Sequence, residues 1–593
     1  MADAKISCLK CGGHIAFPKE LAGQEVSCPH CNESLLLPKT KPSTAWILAA
    51  VFIFVIVCIA SVAIWVKLAK HGLTAQINAA QNTHSQALVP QRDSLATGQL
   101  VNASTGGGQK FYCVDGTKLD FATKLMLESL QALANSNTPV LFAIQRPQDL
   151  SWRQTMEKSF GQTSEMISVD EALAHFGANA PQVIWNWDYS WSRSFATTLA
   201  GINHALLTDH KLEGHEVAYD FNNSGLTNKV QAYRWALAEV LPQCNHNQLV
   251  YLDEGLTWLR DYAMQQKLFV FNLDPLNDPE DGRLLDEILS RYPAQTRVFG
   301  WASGNFARKD KNQNGVTVEN ALVNRLSKRG MLLVPADYAG NLSFYIQTQP
   351  YVTKFKQQRI QRNLNLQPGK RFVLLVVSDG DNLQINLGAM RTWWEDYQTL
   401  HVPLAWTISP QLVDVAPAVL QFYYQETAKL GGWSEFVAGP SGYGYVNPGS
   451  LNRVQLMEFV QQTRQACERA DIRSVAILDN GSRPAAQVFG FIQAYAEAKF
   501  DGLWLMAMPT FLGVSDTTVF ANEDYRLKGD NSKAIVAAIA DQKDDQPFAV
   551  IYLPAGADMD YLREFVSDLN RAFTIVSPTE MASLIREWKK QSR

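Results

Sequence analysis

The stretch RFVLLVVSDGDN, residues 371–382, begins with an apolar run and ends in acidic and glycine residues. An apolar run without polar alternation is typical of a strand that is buried on both faces of a sheet. A helical pattern follows the run, so the stretch is predicted to open a strand-then-helix unit of an α/β fold.

The same unit recurs through the rest of the chain. Apolar strands are predicted at PLAWTIS (403–409), SEFVAGP (434–440), SVAILDNG (474–481), DGLWLMAMP (501–509), FAVIYLPAG (548–556) and FTIVSP (573–578). About seven such units in succession favour a (β/α) barrel over residues 367–593, either complete or deformed. A doubly wound parallel sheet is the alternative.

Residues 110–366 are predicted to form a further α/β region that precedes the barrel. Its buried strands are predicted at VLFAI (140–144), QVIWNW (182–187), KLFVFNL (267–273), TRVFGWA (296–302) and GMLLVPAD (330–337). Helical patterns alternate with these runs, but the pattern does not give the order of the strands.

One segment of this region, IWNWDYSW at 184–191, is rich in aromatic residues. If the segment is extended, Trp185, Trp187, Tyr189 and Trp191 share one face and Asp188 lies on the other. Such rings could stack on sugars, although packing into a domain interface is the favoured interpretation.

The run AWILAAVFIFVIVCIASVAIWV, residues 45–66, contains no charged residue. As a helix it would extend about 33 Å, which is enough to cross a hydrocarbon core of about 30 Å. A transmembrane helix is therefore predicted at 45–67. A cleaved signal peptide is disfavoured, because the run is too long for one and a folded module precedes it.

Residues 1–40 are predicted to form that module, a zinc ribbon. Two CxxC pairs, Cys8 with Cys11 and Cys28 with Cys31, have the spacing of a tetrahedral zinc site with four thiolates. So short a segment cannot build a sufficient apolar core without a metal. A redox pair is the alternative.

More lysines precede the predicted span than follow it, which favours a cytoplasmic N-terminus. Residues 68–109 are rich in small and polar residues and are predicted to be a flexible linker. The protein is thus expected to be a single-pass membrane protein with its C-terminal domains in the periplasm or outside the cell. A net charge of −4 over 593 residues gives no indication of nucleic-acid binding.

The active sites of such barrels lie at the carboxyl ends of the strands. The candidate catalytic residues are therefore those that directly follow the predicted barrel strands. Asp379, Asp381 and Asn382 follow the first strand, and Asp479 and Asn480 follow the fourth. The three carboxylates could perform general acid/base chemistry on a glycosidic bond, or bind Ca²⁺ or Mg²⁺. The simpler alternative for the first two aspartates is that they cap the following helix.

The loop GPSGYGYVNPG, residues 439–449, follows the third predicted strand and carries two candidate substrate-binding residues, Tyr443 and Tyr445. Other chemistries lack their residues in this region. His401 is the only histidine between residues 368 and 593, which disfavours a histidine-bearing zinc site or a Ser-His-Asp site. Phosphate-binding glycine motifs are also absent there.

Gly442, Gly444, Tyr445 and Pro448 resemble the signature of the GxGYxYP family, a family of glycoside-hydrolase type whose reaction is not established. The segments VSDGDNLQ (377–384) and VPADYAGNLSFY (334–345) are also similar to segments of that family. The resemblance covers about residue 110 to the C-terminus and implies carbohydrate handling. Asn447 departs from it, because the signature has its second tyrosine there.

The sequence therefore predicts a membrane-anchored, exported glycoside hydrolase that acts on an oligosaccharide or polysaccharide. A non-catalytic glycan-binding or envelope-associated protein on the same fold is the first alternative, supported by Asn447 and by the lack of a glutamate at any predicted barrel strand end. A signalling protein that reports ligand binding to the zinc ribbon is the second.

Overall fold

The computed structural model describes residues 109–302, 316–480, 485–506, 511–512, 517–521, 525–527, 531–542 and 547–591, and the backbone of four short strands nearer the N-terminus. The chain divides into two compact units, Met1–Gly106 and Gly107–Arg593.

The first unit contains two antiparallel strand pairs. Strand β1 (Ala4–Ser7) pairs with β2 (His14–Phe17), and β3 (Glu25–Ser27) pairs with β4 (Ser34–Leu36). Each predicted CxxC pair falls in the connection between paired strands, and these connections lie outside the described residues. The transmembrane prediction at 45–67 and nearly all of the linker prediction at 68–109 lie outside them too. Within the part that is described, no helix has the length and hydropathy needed to span a bilayer.

The second unit begins with three small parallel sheets, where the sequence predicted one α/β region. The strands are β5 (Lys110–Asp115), β6 (Leu141–Ile144), β7 (Thr163–Met166), β8 (Gln182–Ile184), β9 (Leu206–Thr208), β10 (Val217–Asp220), β11 (Gln248–Tyr251), β12 (Phe269–Phe271), β13 (Arg297–Gly300) and β14 (Leu332–Val334). Their orders are β6-β5-β7, β10-β8-β9 and β12-β11-β13-β14.

Helices connect and cover these sheets. They are α1 (Phe121–Ala134), α2 (Pro147–Ser159), α3 (Val169–Ala172), α4 (Trp191–Asn203), α5 (Lys229–Trp235), α6 (Arg260–Gln265), α7 (Pro279–Ser290), α8 (Val318–Ser327) and α9 (Leu342–Tyr345). The strand predicted at 182–187 ends at Ile184, so the aromatic residues after it do not alternate along a strand.

The C-terminal region forms a nine-stranded sheet. Its strands are β15 (Phe372–Val377), β16 (Leu404–Ile408), β17 (Ser434–Ala438), β18 (Ser474–Ile477), β19 (Gly502–Leu505), β20 (Phe511–Leu512), β21 (Thr518–Ala521), β22 (Phe548–Leu553) and β23 (Thr574–Val576). The order is β20-β21-β19-β18-β17-β16-β15-β22, with β23 pairing to β15. Within this sheet only β20 is antiparallel to its neighbour.

The helices of this region follow the strands, as the repeated unit predicts. They are α10 (Leu383–Leu387), α11 (Ala389–Gln398), α12 (Leu412–Val415), α13 (Pro417–Lys429), α14 (Arg453–Arg469), α15 (Ala485–Glu497), α16 (Ser532–Ala540), α17 (Met559–Ala572) and α18 (Pro578–Gln591).

The sheet curls into a nearly closed barrel, which confirms the coarse prediction of a parallel barrel-like α/β domain. Strand β21 pairs with β19, and the chain just after β21 reaches the opposite edge. There Tyr552 of β22 donates to the carbonyl of Tyr525 (2.9 Å) and accepts from the amide of Leu527 (2.9 Å). The same segment of chain therefore joins both edges of the sheet.

Strand β15 has no polar face because both of its faces are buried in apolar clusters. Alternate side chains, of which Leu374 is one, join an apolar cluster that contains Trp504 and Phe520 from across the barrel. The others, such as Leu375, join the larger cluster beneath the helices. Each fully buried side chain of this size contributes about 1.5–3 kcal/mol to the free energy of unfolding, so both faces stabilise the barrel.

Candidate functional site

The site lies where the carboxyl ends of the barrel strands meet the N-terminus of α8, which belongs to the sheet of β11–β14. A cavity of about 260 Å³ opens there. Its lining residues come from α8, from the segments after β18, β19 and β21, and from β22: Thr317, Glu319, Asn320, Leu478, Asn480, Met506, Arg526 and Tyr552. The cavity is therefore built by two α/β regions of the same unit.

The turn after β15 carries Asp379 and Asp381, which are not among the residues that line the cavity. Asp381 lies near enough to the cavity-lining Glu319 for the two charges to interact. The Gly380 amide donates to Thr407 Oγ1 (2.8 Å), which fixes the turn to the neighbouring strand. Asn382 Nδ2 donates to the Asp379 carbonyl (2.9 Å) and to Asp381 Oδ1 (3.2 Å). Asn382, predicted to bind substrate, thus braces the two aspartates and is not among the cavity-lining residues.

The two carboxylates differ in their surroundings. Asp381 is 9% exposed, whereas Asp379 is exposed and has a positive φ of 64°. Burial raises the pKa of Asp381 well above its usual value, and the negative charges of Asp379 and Glu319 raise it further. Although the Asp379 side chain is exposed, partial desolvation by the surrounding protein also raises its pKa, and the hydrogen bond from Ser378 opposes this shift. Of the two carboxyl groups, Asp381 therefore holds its proton to the higher pH.

The helix-capping explanation of these aspartates is wrong. Helix α10 begins after Asn382, and no side chain caps its N-terminus. The two carboxylates consequently point to a role other than helix initiation.

Glu319 is the site residue that sequence reasoning missed. It lies in the first turn of α8, whose N-cap residue Thr317 accepts a hydrogen bond from the Asn320 amide (3.1 Å). Its Oε1 accepts a hydrogen bond from the Tyr445 hydroxyl (2.8 Å). An acidic residue behind a threonine cap is an ordinary helix start in a sequence, so only the packing of α8 on the barrel shows that it reaches the site.

The glycine-rich loop after β17 is buried throughout residues 439–448 and joins the barrel to β14. The Tyr445 amide donates to the Leu333 carbonyl (2.8 Å), and the Leu333 amide donates to the Tyr445 carbonyl (3.1 Å). Two positions of the loop need glycine, because neighbouring residues pack too closely for a side chain. A Cβ on Gly439 would lie 2.7 Å from Asp381 Cβ, and one on Gly444 would lie 2.5 Å from a Leu332 methyl. The loop is thus a rigid connection between two domains.

A chain of side-chain hydrogen bonds, here called the α8 clamp, fixes α8 on the barrel mouth. Asn480 Nδ2 donates to the Tyr445 hydroxyl (2.5 Å), which donates in turn to Glu319. The Asn480 amide donates to Asn447 Oδ1 (3.1 Å), and Asn447 Nδ2 donates to Asn324 Oδ1 (2.8 Å). Glu319 and Asn324 both belong to α8, so the chain of bonds closes into a ring.

This ring gives Asn447 a role. It is fully buried where the GxGYxYP signature has a tyrosine, and its own amide donates to Ser327 Oγ at the end of α8 (3.0 Å). The side chain is short enough to bond both α8 and the segment after β18.

Tyr443 points elsewhere than predicted and is not among the cavity-lining residues. It is 6% exposed, and its hydroxyl donates to Asp414 Oδ2 (2.7 Å). Arg469 forms two hydrogen bonds with the same carboxylate (2.7 and 2.9 Å), and Arg297 Nη1 of β13 lies 3.4 Å from the Tyr443 hydroxyl. Tyr443 is therefore part of a polar contact between β13 and the barrel.

Of the two predicted site residues after β18, one lines the cavity and the other does not. Asn480 lines the cavity, whereas half-buried Asp479 accepts a hydrogen bond from the Gly449 amide (3.3 Å) and supports the end of the loop. Within the described ranges, no group of three or more His, Cys, Asp and Glu residues could hold a metal ion.

The architecture and the site define an α/β-barrel protein with a polar cavity at the carboxyl ends of its strands, lined by one acidic residue, Glu319, and one basic residue, Arg526. Three family models match the chain: the "GxGYxYP_N 1st domain" at residues 110–178, the "GxGYxYP third domain" at 248–347 and the "GxGYxYP putative glycoside hydrolase C-terminal domain" at 369–586. The chain thus carries three domains of the GxGYxYP family. The matched ranges follow the sheets of β5–β7, β11–β14 and the barrel.

Among solved structures, a crystal structure described as a "putative hydrolase" from Bacteroides thetaiotaomicron is similar to this chain with a TM-score of 0.70 and 18% identity, covering 81% of this chain and 95% of that one. This likeness supports the fold.

Two other matches are far weaker. A 4-alpha-glucanotransferase from Thermococcus litoralis gives a TM-score of 0.26 at 12% identity, over 36% of this chain and 38% of that one. A putative polysaccharide deacetylase from Mycobacterium smegmatis gives 0.29 at 13%, over 38% and 94%. Neither carries an argument about fold or function. No curated protein matches the sequence.

Proposed function

We propose that this protein is a glycoside hydrolase whose active site is the mouth of the C-terminal barrel. The observation that carries the proposal is that carboxyl groups from two domains lie close enough for their charges to interact: Asp381 after β15, and Glu319 of α8, which lines the cavity. Glycoside hydrolysis commonly needs such a pair, one group protonated and one ionised. The family of the C-terminal domain supports the same reaction class.

In this proposal Asp381 is the general acid. Its raised pKa keeps the proton that the leaving glycosidic oxygen must receive when the bond to the anomeric carbon breaks. Asp379 does not touch the leaving group. Its negative charge helps to hold the proton on Asp381, so Asp379 acts on the reaction only through Asp381.

Glu319 is the proposed second carboxylate. Its hydrogen bond from Tyr445 fixes the orientation of the carboxylate. As a base it would activate a water molecule, and as a nucleophile it would attack the anomeric carbon. A separation of about 5 Å between the carboxyl groups implies retention of configuration, and about 6.5–9.5 Å implies inversion.

The neighbouring polar groups have supporting roles. Asn480 and Tyr445 are proposed to contact sugar hydroxyls as well as to hold Glu319. Asn480 lines the cavity, and its Nδ2 donates a hydrogen bond to the Tyr445 hydroxyl. Asp479 anchors the loop and Asn382 braces the acid turn.

The test is a panel of chromogenic glycosides and polysaccharides applied to the purified protein, Asp381→Asn and Glu319→Gln. Turnover of at least one substrate that both substitutions abolish supports the proposal. Asp170→Asn, which changes an exposed carboxylate of the first domain, is the matched control and should retain full activity.

A non-catalytic glycan-binding protein is the second candidate. It is favoured by Asn447, which replaces a signature tyrosine with a residue committed to the α8 clamp. Binding of glycans without turnover across the whole panel would support this candidate over the first.

We further propose that the barrel is exported and tethered by a span at 45–67, behind a cytoplasmic zinc ribbon at 1–40. The support is the uncharged run and the two CxxC pairs. Protease added to intact cells should degrade the barrel and spare the ribbon. The purified ribbon should contain one zinc ion per chain, which Cys8→Ser together with Cys28→Ser should remove.

A further inference from the structure

A second candidate site lies on the sheet of β8–β10, from which no residue lines the barrel cavity. Trp187 follows β8 and is 55% exposed, and it is the only tryptophan of the described residues that is exposed. The aromatic segment at 184–191 thus presents one ring to solvent, while Trp185 and Trp191 are buried.

The exposed ring is held rigidly. Trp187 Nε1 donates to Asp209 Oδ2 (3.0 Å), and its ring centroid lies 4.5 Å from that of Trp185 and 6.2 Å from that of Phe121. The Arg193 guanidinium lies 5.5 Å from the same ring. A large ring that is fixed before a ligand arrives loses little conformational entropy on binding.

The position of the ring within its sheet is that of a ligand site. The order β10-β8-β9 means that the chain leaves β8 toward one side and then crosses back to the other. Ligands of open parallel α/β sheets bind outside the carboxyl ends of the strands where the order reverses. Trp187 lies at that end of β8.

The ends of the neighbouring strands β9 and β10 carry polar groups, of which Asp209 contacts the ring. Asp209, after β9, also accepts from His210 Nδ1 (2.6 Å), and Asp220, at the end of β10, accepts from the side chains of Asn222 and Asn223. Asp188 is exposed beside Trp187. The carboxylates of Asp209 and Asp220 are thus already bonded to neutral or weakly basic donors, and the amides and the imidazole offer further hydrogen bonds to hydroxyl groups.

We propose that Trp187 is the stacking platform of a second saccharide-binding subsite, with the ends of β9 and β10 as its hydrogen-bonding rim. An apolar ring face for the C–H groups of a pyranose and a polar rim for its hydroxyls are the two features that such a ligand needs. The choice of a saccharide rests on the proposed glycoside hydrolase function. A cationic peptide would also be compatible with a tryptophan and carboxylates.

The test measures binding with the full chain carrying Asp381→Asn, so that turnover does not consume the probe. The probes are neutral hexasaccharides of β-1,4-linked glucose, xylose and N-acetylglucosamine and of α-1,4-linked glucose, with hexalysine as the cationic peptide, titrated by calorimetry. Adding Trp187→Ala should weaken the best hexasaccharide about tenfold or more, and Trp187→Phe should weaken it less. Tyr351→Ala removes another exposed aromatic ring and should bind as the parent does.

Unchanged hexasaccharide binding in folded Trp187→Ala would overturn the inference. So would a site that prefers hexalysine and loses it with Trp187. If the unsubstituted protein hydrolyses nothing on the glycoside panel and Trp187-dependent hexasaccharide binding is still found, the hydrolase proposal fails and this subsite stands.

Discussion

Replacing Asp381 with Asn should abolish hydrolysis and stabilise the protein at neutral pH. The native carboxyl group is buried beside Asp379 and Glu319, so its pKa is raised. In the unfolded chain an aspartate ionises near pH 3.9. Between these two pKa values the native state holds a proton that the unfolded state has released. The stability contributed by this group is therefore complete at low pH and is lost as pH rises toward the native pKa.

The size of the effect follows from the number of protons. One proton of difference changes the free energy of unfolding by about 1.4 kcal/mol per pH unit. Asparagine has no proton to release, so the stability of Asp381→Asn relative to the unsubstituted protein should rise by up to that amount per unit from about pH 4 upward, and level off above the native pKa of Asp381.

The assay is urea unfolding at pH 4.5, 5.5, 6.5 and 7.5, followed by tryptophan fluorescence. Asp414→Asn is a control, because the pKa of Asp414 is shifted in the opposite direction to that of Asp381. Burial alone would raise the pKa of Asp414, but the hydrogen bonds and charge of Arg469 outweigh it and lower the pKa. That substitution should therefore destabilise the protein most at neutral pH and less as pH falls. A stability difference for Asp381→Asn that does not change with pH would refute the assignment of a retained proton.

Three further predictions concern the groups around the acids. Tyr445→Phe removes a hydrogen bond to the Glu319 carboxylate, worth about 1.5–3 kcal/mol, so kcat/KM should fall about 10- to 150-fold in steady-state kinetics while circular dichroism stays native. Gly439→Ala places a methyl group against Asp381 and should cost about 1–3 kcal/mol of stability in urea unfolding as well as activity; a stable, active variant would mean that the loop is not packed as described. Asn447→Ala removes the shorter of two hydrogen bonds to Asn324 Oδ1, leaving the one from Ser450 Oγ (3.3 Å), and should raise amide hydrogen exchange in α8, whereas equal exchange in both proteins would argue against the α8 clamp.

The sequence predicts the strands of the barrel well because their apolar runs reflect burial on both faces. Phe372–Val377 is the clearest example, since every residue in it is buried. Strand β21 was missed, because TVFA is too short an apolar run to stand out from the polar residues that flank it. The division of residues 110–347 into three sheets also escaped prediction, since apolar runs give no information on which strands pair.

The candidate site was predicted only as far as it lies on the barrel. Asp379 and Asp381 follow a strand end and could be found by that rule, whereas Glu319 reaches the cavity by the packing of a helix from another sheet. Tyr443 and Tyr445 are two residues apart in one loop, and their opposite directions depend on contacts with β13 and β14 that a sequence pattern does not contain.

The activity of Glu319→Gln is the most direct test of the proposed hydrolase, because its reaction needs a catalytic carboxylate from outside the barrel. On any glycoside that the unsubstituted protein hydrolyses, kcat should fall about 100- to 10,000-fold with the fold intact, and added azide or formate should restore part of it. Hydrolysis by Glu319→Gln at the rate of the unsubstituted protein would show that Glu319 is not the second catalytic carboxylate.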